Sequence, residues 1–181
     1  MIQQLDFSVL YALQDVRSEL LDKIMVFITH LGDGGYVWIA AGAALLLFSK
    51  KYRRQGVSVL LGLILGTLVG NTIIKPLVAR PRPCWLDTTV QLAVKAPGSY
   101  SFPSGHTMSS VIAAAVLWRT DRRMGWPAVV LAALIALSRM YLFVHFPTDV
   151  LAAVAIGIPL SYAADYTTRT AEALWQKRKA E

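Results

Sequence analysis

The feature that most constrains this chain is a series of apolar runs, most of which end near a cluster of basic residues. The clearest run extends from Val57 to Val78 and carries no charged side chain before Lys75. A helix needs about 20 apolar residues to cross a bilayer. The chain is 55% hydrophobic and only 16% charged, with a mean hydropathy of +0.49, which exceeds what a soluble core requires. The sequence therefore predicts an all-α membrane protein.

Four further runs are candidates for crossings, although some are short: Tyr36–Phe48, Thr107–Trp118, Pro127–Val144 and Val150–Ala164. A shorter apolar piece, Ile24–Leu31, is interrupted by glycines and either dips into the bilayer or completes a crossing. The chain of 181 residues has room for five or six crossings with short loops. We predict a polytopic transmembrane helix bundle with five to six spans, in which residues 1–181 form one domain.

Glycine occurs at every fourth position of the clearest run, at Gly62, Gly66 and Gly70. Small residues with this spacing lie on one side of a helix and allow a second helix to approach closely. We therefore expect another helix of the bundle to pack against this stripe.

The N-terminal segment, residues 1–31, does not contain a long apolar run. From Ile2 to Leu20 apolar residues recur at helical spacing and charged residues occupy the other faces. Three acids lie in this stretch: Asp6, Asp15 and Glu19. Acids at these positions do not fit a cleavable signal peptide. We expect an interfacial helix on the membrane surface, followed by the short apolar piece.

Basic clusters occur at alternate span ends, at residues 50–54, at 119–123 and in the tail, 165–181. The positive-inside rule places all three in the cytoplasm. The segments 75–106 and 139–149 then share the opposite side of the membrane. The net charge of +7 is explained by this anchoring of loops, so we expect no nucleic-acid partner.

Three polar clusters lie at span ends on that far side, where charged residues are costly unless they have a use. The first contains Lys75, Arg80 and Arg82, the second is Pro103-Ser104-Gly105-His106, and the third contains Ser138, Arg139, His145 and Asp149. Each cluster alone also has a structural explanation. Lysine and arginine can anchor span ends, Ser104 can cap a helix, and His145 can pair with Asp149 in a purely structural contact.

Together, the clusters favour chemistry on a phosphate. His145 and Asp149 are four residues apart, a spacing that permits a hydrogen bond, and Pro147 suits the first turn of a new helix. A carboxylate bonded to one imidazole nitrogen fixes the tautomer and leaves the other nitrogen as nucleophile or base. Lysine, guanidinium groups and a helix N-terminus would converge on a strongly anionic group, and phosphate fits this combination best.

The pattern of these clusters resembles the three-part signature of the type 2 phosphatidic acid phosphatase superfamily. The matching parts are Lys75, six residues, Arg82-Pro83; Pro103-Ser104-Gly105-His106; and Ser138-Arg139, five residues, His145, three residues, Asp149. All three parts match in order and spacing, and the flanking runs suit the six-helix bundle of the family. The catalytic motifs would thus occupy residues 75–149. Chain length and span number are most similar to those of the small bacterial membrane lipid phosphatases.

The resemblance implies a role for each matching residue. His145 would attack phosphorus and form a phosphohistidine, Asp149 would orient His145, and His106 would protonate the leaving oxygen and later activate water. The phosphoryl oxygens would be held by five residues: Lys75, Arg82, Ser104, Gly105 and Arg139. Arg80 lies outside the signature, so the resemblance gives it no role.

The resemblance also implies that no metal or cofactor is needed, because the cationic side chains replace it. Cys84 is the only cysteine, so a thiolate metal cluster is excluded. The implied location is the bacterial cytoplasmic (inner) membrane, with several crossings and the active site on the extracytoplasmic, periplasmic side. The implied partners are a lipid phosphate substrate and membrane lipids.

The first choice of substrate is undecaprenyl diphosphate, which would be converted to undecaprenyl phosphate. The stretch Leu21–Thr29 resembles the corresponding region of small bacterial undecaprenyl diphosphate phosphatases. Phosphatidic acid, phosphatidylglycerophosphate and lipid A phosphates are the alternatives. A lipid-phosphate transporter with the same basic pocket, or a structural membrane subunit, would be functions of another class. The sequence makes no prediction of the oligomeric state or of the role of the loop from Trp85 to Tyr100.

Overall fold

A computed structural model describes residues 1–180, which fold into helices and connecting segments with no strand. The helices are α1 (Ile2–Asp15), α2 (Glu19–Leu31), α3 (Tyr36–Phe48), α4 (Arg53–Gly66), α5 (Lys75–Val78), α6 (Pro83–Leu86), α7 (Gly105–Thr120), α8 (Arg122–Tyr141) and α9 (Pro147–Ala180). A 3₁₀ turn, Asp33–Gly35, precedes α3, and a π-helical segment, Thr67–Ile74, joins α4 to α5. The predicted all-helical class is confirmed.

The N-terminal amphipathic helix is shorter than predicted: α1 ends at Asp15, whereas the sequence pattern extends to Leu20. The hydroxyl of Ser18 accepts a hydrogen bond from the backbone N–H of Leu21 and so caps the start of α2. The apolar stripe of α1 faces outward, whereas Asp6 and Leu10 are buried against the rest of the bundle. The helix therefore presents its apolar side to the surroundings and an acid to the interior.

The glycines after Leu31 bend the chain, as the sequence indicated. Gly34 and Gly35 have φ angles of 56° and 69°, in the left-handed region that side chains disfavour. The axes of α2 and of the following helix, which includes the 3₁₀ turn, differ by 42°. The two helices together have the length and composition of one broken span or of a re-entrant loop.

Three helical stretches are long and apolar enough to cross a membrane: Arg53–Leu86, α8 and α9. The bent pair of α2 and α3 makes a fourth if it is counted as one span. Helix α7, which was expected to cross, has 16 residues and a length of about 24 Å, less than the roughly 30 Å of a hydrocarbon core. The count of five to six spans therefore stays a prediction.

Helix α7 lies at the centre of the bundle and packs against α4, α8 and α9. A Cβ atom on Gly62 or Gly66 would lie 2.6 Å from a side-chain carbon of Ile112 on α7. On Gly70 it would lie 2.8 Å from Met108 Sδ. The predicted close approach of a second helix to the glycine stripe is confirmed, and α7 is that helix. Its tight packing fixes the position of its N-terminus at one end of the bundle.

Replacing Gly56 by alanine tests how tightly α3 and α4 pack. The added methyl group would lie 2.6 Å from both the carbonyl oxygen of Gly42 and the backbone nitrogen of Leu46, and neither atom can rotate away. Alanine favours a helix by about 1 kcal/mol over glycine, but overpacking costs about 1–3 kcal/mol. We expect Gly56→Ala to lower the thermal midpoint in detergent by several degrees. Gly98→Ala, which meets no atom within 4 Å, serves as the control, and a higher midpoint for Gly56→Ala would contradict the packing described.

Candidate active site

The three polar clusters meet at one end of the bundle. Lys75 begins α5, Ser104 is the residue before α7, Arg139 lies in the last turn of α8, and His145 and Asp149 flank the start of α9. All five are buried, as is Arg82, although each is polar or charged. Buried charges are costly unless they are paired or await a ligand. This arrangement has the character of a functional site.

The imidazole of His145 is held on its Nδ1 side. Asp149 Oδ2 lies 3.4 Å from His145 Nδ1, at the long end of hydrogen-bond range. The hydroxyl of Ser101 also lies 3.4 Å from Nδ1 and donates a hydrogen bond to Asp149 Oδ2. Pro147 occupies the first turn of α9, as predicted, so Asp149 lies within the helix and His145 lies in the bend that precedes it. Ser101 lies just before the second motif, and no feature of the sequence marked it.

Arg82 determines the state of the other ring nitrogen. Its Nη1 lies 3.1 Å from His145 Nε2 and donates to the carbonyl of Val144 at 2.7 Å. Its Nε and Nη2 donate to the carbonyls of Ser99 and Tyr100 and to the Ser99 hydroxyl. Arginine has five N–H groups and no acceptor. Nε2 must therefore accept the hydrogen bond from Arg82, which leaves the ring proton on Nδ1, on the side of Asp149.

Burial keeps His145 neutral. The removal of the ring from water is the largest influence and lowers its pKa to about 3, whereas the hydrogen bond to Asp149 acts in the opposite direction. At neutral pH the ring therefore carries no charge, and Nε2 keeps the lone pair that a nucleophile needs. Arg82, Arg139 and the buried surroundings all favour this neutral state.

Arg139 and Lys75 are buried cations with capacity for an anion. Arg139 donates from Nη1 to the hydroxyl of Thr29 at 2.5 Å, but its Nε is buried without a partner among the described residues. Buried donors are normally satisfied, so this N–H is available for a hydrogen bond to a ligand. Lys75 lines an open cavity of about 470 Å³. Asn71 also lines this cavity, as do Trp85 and other residues of the loop that ends at Tyr100. Sequence reasoning did not identify Thr29 or Asn71.

Ser104 is the N-cap of α7, as predicted. Its hydroxyl accepts hydrogen bonds from the N–H and the hydroxyl of Thr107, and its own backbone N–H donates to the carbonyl of Asp149 at 3.3 Å. Gly105 is the first residue of the helix, where backbone N–H groups have no intrahelical acceptor. A Cβ atom on Gly105 would lie 3.1 Å from Asn71 Oδ1, so a side chain there would crowd Asn71. The backbone N–H groups at a helix N-terminus such as this one favour an anion.

His106 follows in the first turn of α7 and is paired with an acid that the sequence analysis did not connect to it. Its Nε2 lies 2.8 Å from Asp33 Oδ1, and the second oxygen of Asp33 lies 2.7 Å from His30 Nδ1. Asp33 is the first residue of the turn between α2 and α3. The bent N-terminal segment thus contributes Asp33 to the site through its contact with His106.

Arg80, which the resemblance left without a role, forms a buried ion network. Its Nη1 lies 2.6 Å from Asp149 Oδ1, and its Nη2 lies 2.6 Å from Asp6 Oδ2. Thr148 adds hydrogen bonds to Asp6 from its N–H and its hydroxyl, and the guanidinium stacks 4.0 Å from the ring centre of Phe146. Asp6 lies on the inward face of α1. No feature of the sequence marked Asp6 for this network, because the charged residues of this segment were expected on the faces away from its apolar side.

Across residues 1–180, no three histidine, cysteine or acidic side chains are arranged to hold a metal ion. The predicted site residues nevertheless come together: Lys75, Arg82, Ser104, Gly105, His106, Arg139, His145 and Asp149 lie around one end of the bundle. A neutral imidazole with a free nitrogen beside several buried cations can attack an anionic electrophile and stabilise the charge that develops.

Comparison with known proteins gives a consistent result. The model of the PAP2 superfamily matches residues 55–172. The undecaprenyl-diphosphatase of Sulfolobus acidocaldarius is 32% identical over 143 residues, which cover 78% of this chain and 68% of the relative. The undecaprenyl-diphosphatase of Bacillus subtilis is 32% identical over 152 residues, which cover 81% of this chain and 74% of the relative. The crystal structure of a PAP2 type phosphatidylglycerolphosphate phosphatase from Bacillus subtilis is similar with a TM-score of 0.76 at 28% identity, over 93% of this chain and 87% of that one.

Removal of the Arg80 side chain tests the ion network. Arg80→Ala would leave two buried carboxylates, those of Asp6 and Asp149, without their shared cation. Breaking a buried ion pair typically costs about 3–5 kcal/mol. We expect a clear fall in the thermal midpoint in detergent, whereas Arg123→Ala, which removes an exposed arginine, should leave it unchanged. Equal midpoints for the two variants would show that the network contributes little to stability.

Proposed function

Because this chain belongs to the PAP2 superfamily, we propose that it removes phosphate from a lipid phosphate with His145 as the nucleophile. The chain is an integral membrane lipid phosphatase of that superfamily. We further propose roles for its site residues, a substrate, and the side of the membrane on which the reaction occurs.

The observation that carries the proposal is the environment of His145 Nε2. This nitrogen accepts a hydrogen bond from Arg82 Nη1, so it bears a lone pair and faces a cation. The opposite nitrogen carries the proton beside Asp149, which stabilises the positive charge that the ring gains when Nε2 forms a new bond. The acid thus lies on the protonated side of the nucleophilic ring and the cation on its unprotonated side, as attack on a phosphoryl group requires.

In the first step Nε2 of His145 attacks phosphorus, and the bond from phosphorus to the leaving oxygen breaks. When the leaving oxygen is that of an alcohol, His106 donates a proton to it; when it belongs to a phosphate ester, as in a diphosphate, it leaves as an anion and depends on this proton much less. The products are the leaving lipid and a phosphohistidine. All five N–H groups of Arg82 form hydrogen bonds before substrate binds. The N–H that faces His145 Nε2 would therefore exchange this acceptor for a phosphoryl oxygen when Nε2 attacks. Arg139 and Lys75 would hold the remaining oxygens with the N-terminus of α7, where Ser104 and Gly105 lie.

In the second step a water molecule attacks the phosphohistidine from the side of the departed lipid. His106, now neutral, accepts a proton from this water as the oxygen–phosphorus bond forms. The bond between phosphorus and Nε2 breaks, inorganic phosphate leaves, and the lone pair returns to His145. No group other than these side chains is required to balance either step.

We propose undecaprenyl diphosphate as the substrate, with attack at the terminal phosphorus and undecaprenyl phosphate as the product. Two of the relatives described above are named as undecaprenyl-diphosphatases. A phosphatidylglycerolphosphate phosphatase has a similar structure, so glycerolipid phosphates are the alternative class. The cavity beside Lys75 is open to the outside of the bundle, and the exposed apolar side chain of Trp85 lines it. A lipid tail can therefore remain in the bilayer while its phosphate reaches the site.

We also propose that the site faces the extracytoplasmic side of the bacterial cytoplasmic membrane, in a bundle of five to six spans. The basic clusters at residues 50–54 and 119–123 lie at the ends of helices opposite to the site. The positive-inside rule then assigns the site to the outer leaflet. The long loop between α6 and α7 would lie at that surface.

His145→Ala tests the nucleophile. We expect phosphate release from undecaprenyl diphosphate to fall by at least about 1,000-fold, because the covalent intermediate cannot form. Brief incubation with a substrate labelled in the terminal phosphate should label the parent protein and His30→Gln, but not His145→Ala. Release at the parent rate by His145→Ala would disprove the assignment, and no hydrolysis by the parent protein would favour the transporter.

The same assay on a panel of lipids tests the substrate. Undecaprenyl diphosphate, phosphatidic acid, phosphatidylglycerophosphate and a lipid A phosphate would be compared in one detergent. We expect the highest kcat/KM for undecaprenyl diphosphate. A clear preference for a glycerolipid would overturn the choice of substrate and leave the roles of His145 and His106 intact.

A cysteine at position 99 tests the orientation, in a Cys84→Ser background. Ser99 is exposed in the loop before α7. In intact cells Ser99→Cys should react with a thiol reagent that cannot cross the cytoplasmic membrane. A cysteine at Lys50, also exposed, should react only after the cells are opened. The reverse pattern would place the site in the cytoplasm.

A further inference from the structure

We propose that Asp33 is a positioning residue for His106, and this inference rests on the proposed role of His106 as proton donor and acceptor. The carboxylate Oδ1 lies 2.8 Å from His106 Nε2. A carboxylate can only accept a hydrogen bond, so the proton between the two atoms belongs to Nε2. The other nitrogen, Nδ1, is therefore the one that exchanges a proton with the leaving oxygen and with water.

The backbone around Asp33 is shaped to hold the imidazole. A Cβ atom on Gly32 would lie 2.8 Å from His106 Cδ2, so the ring packs directly against the glycine backbone. Gly34 and Gly35 have positive φ angles and turn the chain immediately after Asp33. The bend between α2 and α3 thus brings Asp33 to His106 and leaves room for the ring.

The charge of Asp33 suits a group that must become an imidazolium before it can donate a proton. Burial and the cations that face His106 from other parts of the chain, Arg139 and Arg82, oppose protonation of the ring, and the bonded carboxylate of Asp33 acts against both. The second oxygen of Asp33 is bonded to His30, which is exposed on α2. Without Asp33, His106 would face only cations and would hold its proton less well.

Asp33 lies outside the part of the chain that matches the superfamily model, which begins at residue 55. The same bent segment supplies Thr29, which accepts a hydrogen bond from Arg139. Two separate contacts therefore connect the segment before residue 55 to proposed catalytic and phosphate-binding groups.

The test measures formation of the phosphohistidine in a single turnover, so that only the first step is observed. Farnesyl phosphate releases an alcohol, which needs a proton, whereas farnesyl diphosphate releases a phosphate ester, which is stable as an anion. We expect Asp33→Ala to slow labelling of His145 from farnesyl phosphate by about 10- to 100-fold, and from farnesyl diphosphate by much less. Asp33→Asn, which keeps the shape but not the charge, should shift the alkaline limb of the pH profile to lower pH.

Three controls make the outcome decisive. Asp15→Asn removes the charge of an exposed acid and should match the parent. Asp33→Ala in a His106→Ala background should cause no further loss, because the two residues act through one interaction. Additive losses, or equal slowing with both substrates, would show that Asp33 stabilises the fold only and would overturn the inference. If His106→Ala itself reacts at the parent rate, the proposed role of His106 fails, and that result is distinct from normal rates in Asp33→Ala alone.

Discussion

The buried carboxylate of Asp149 is the interaction on which the rest of the site depends. Its oxygens accept hydrogen bonds from Arg80, from Ser101 and from the backbone N–H of Phe146, and it lies beside His145 Nδ1. Through these contacts one side chain connects the segment after α5, the loop before α7 and the start of α9. A buried carboxylate with so many donors stays charged and fixed, and a fixed partner is what gives His145 a single tautomer.

Three arginine side chains contribute to the site in addition to Asp149, and each has a different role. Arg80 connects Asp149 to Asp6 and so joins the N-terminal helix to the site. Arg82 uses all five donors to connect the loop at Ser99 to the loop at His145. Arg139 contacts Thr29 and has a buried Nε without a partner in the part of the chain that the structure describes. The site is thus already ordered by protein contacts, so little reorganisation is needed when charge develops in the transition state.

The signature residues could be identified from the sequence because their type and spacing carry the chemistry. The sequence alone predicts Lys75, Arg82, Ser104, His106, Arg139, His145 and Asp149, and the structure brings them to one end of the bundle. Asp6, Thr29, Asp33 and Ser101 were not linked to the site, because each is a common residue whose contact is distant in sequence. The bend at Gly32 and the close packing at the glycine stripe could be predicted, because backbone freedom and helix spacing are local properties of the sequence. The end of α1 and the number of spans could not be predicted in the same way, because helix caps and tertiary packing determine them.

By itself, the sequence determined that this chain is helical, that it enters a membrane and that it carries the groups for phosphoryl transfer. Apolar run length, basic clusters and motif spacing are sufficient for these conclusions, because they reflect transfer free energies and reaction chemistry. Only the tertiary structure decided which nitrogen of His145 carries the proton, which acid pairs with His106 and what Arg80 does. These are contacts between residues 63 to 73 positions apart, and they exist only once the helices have packed.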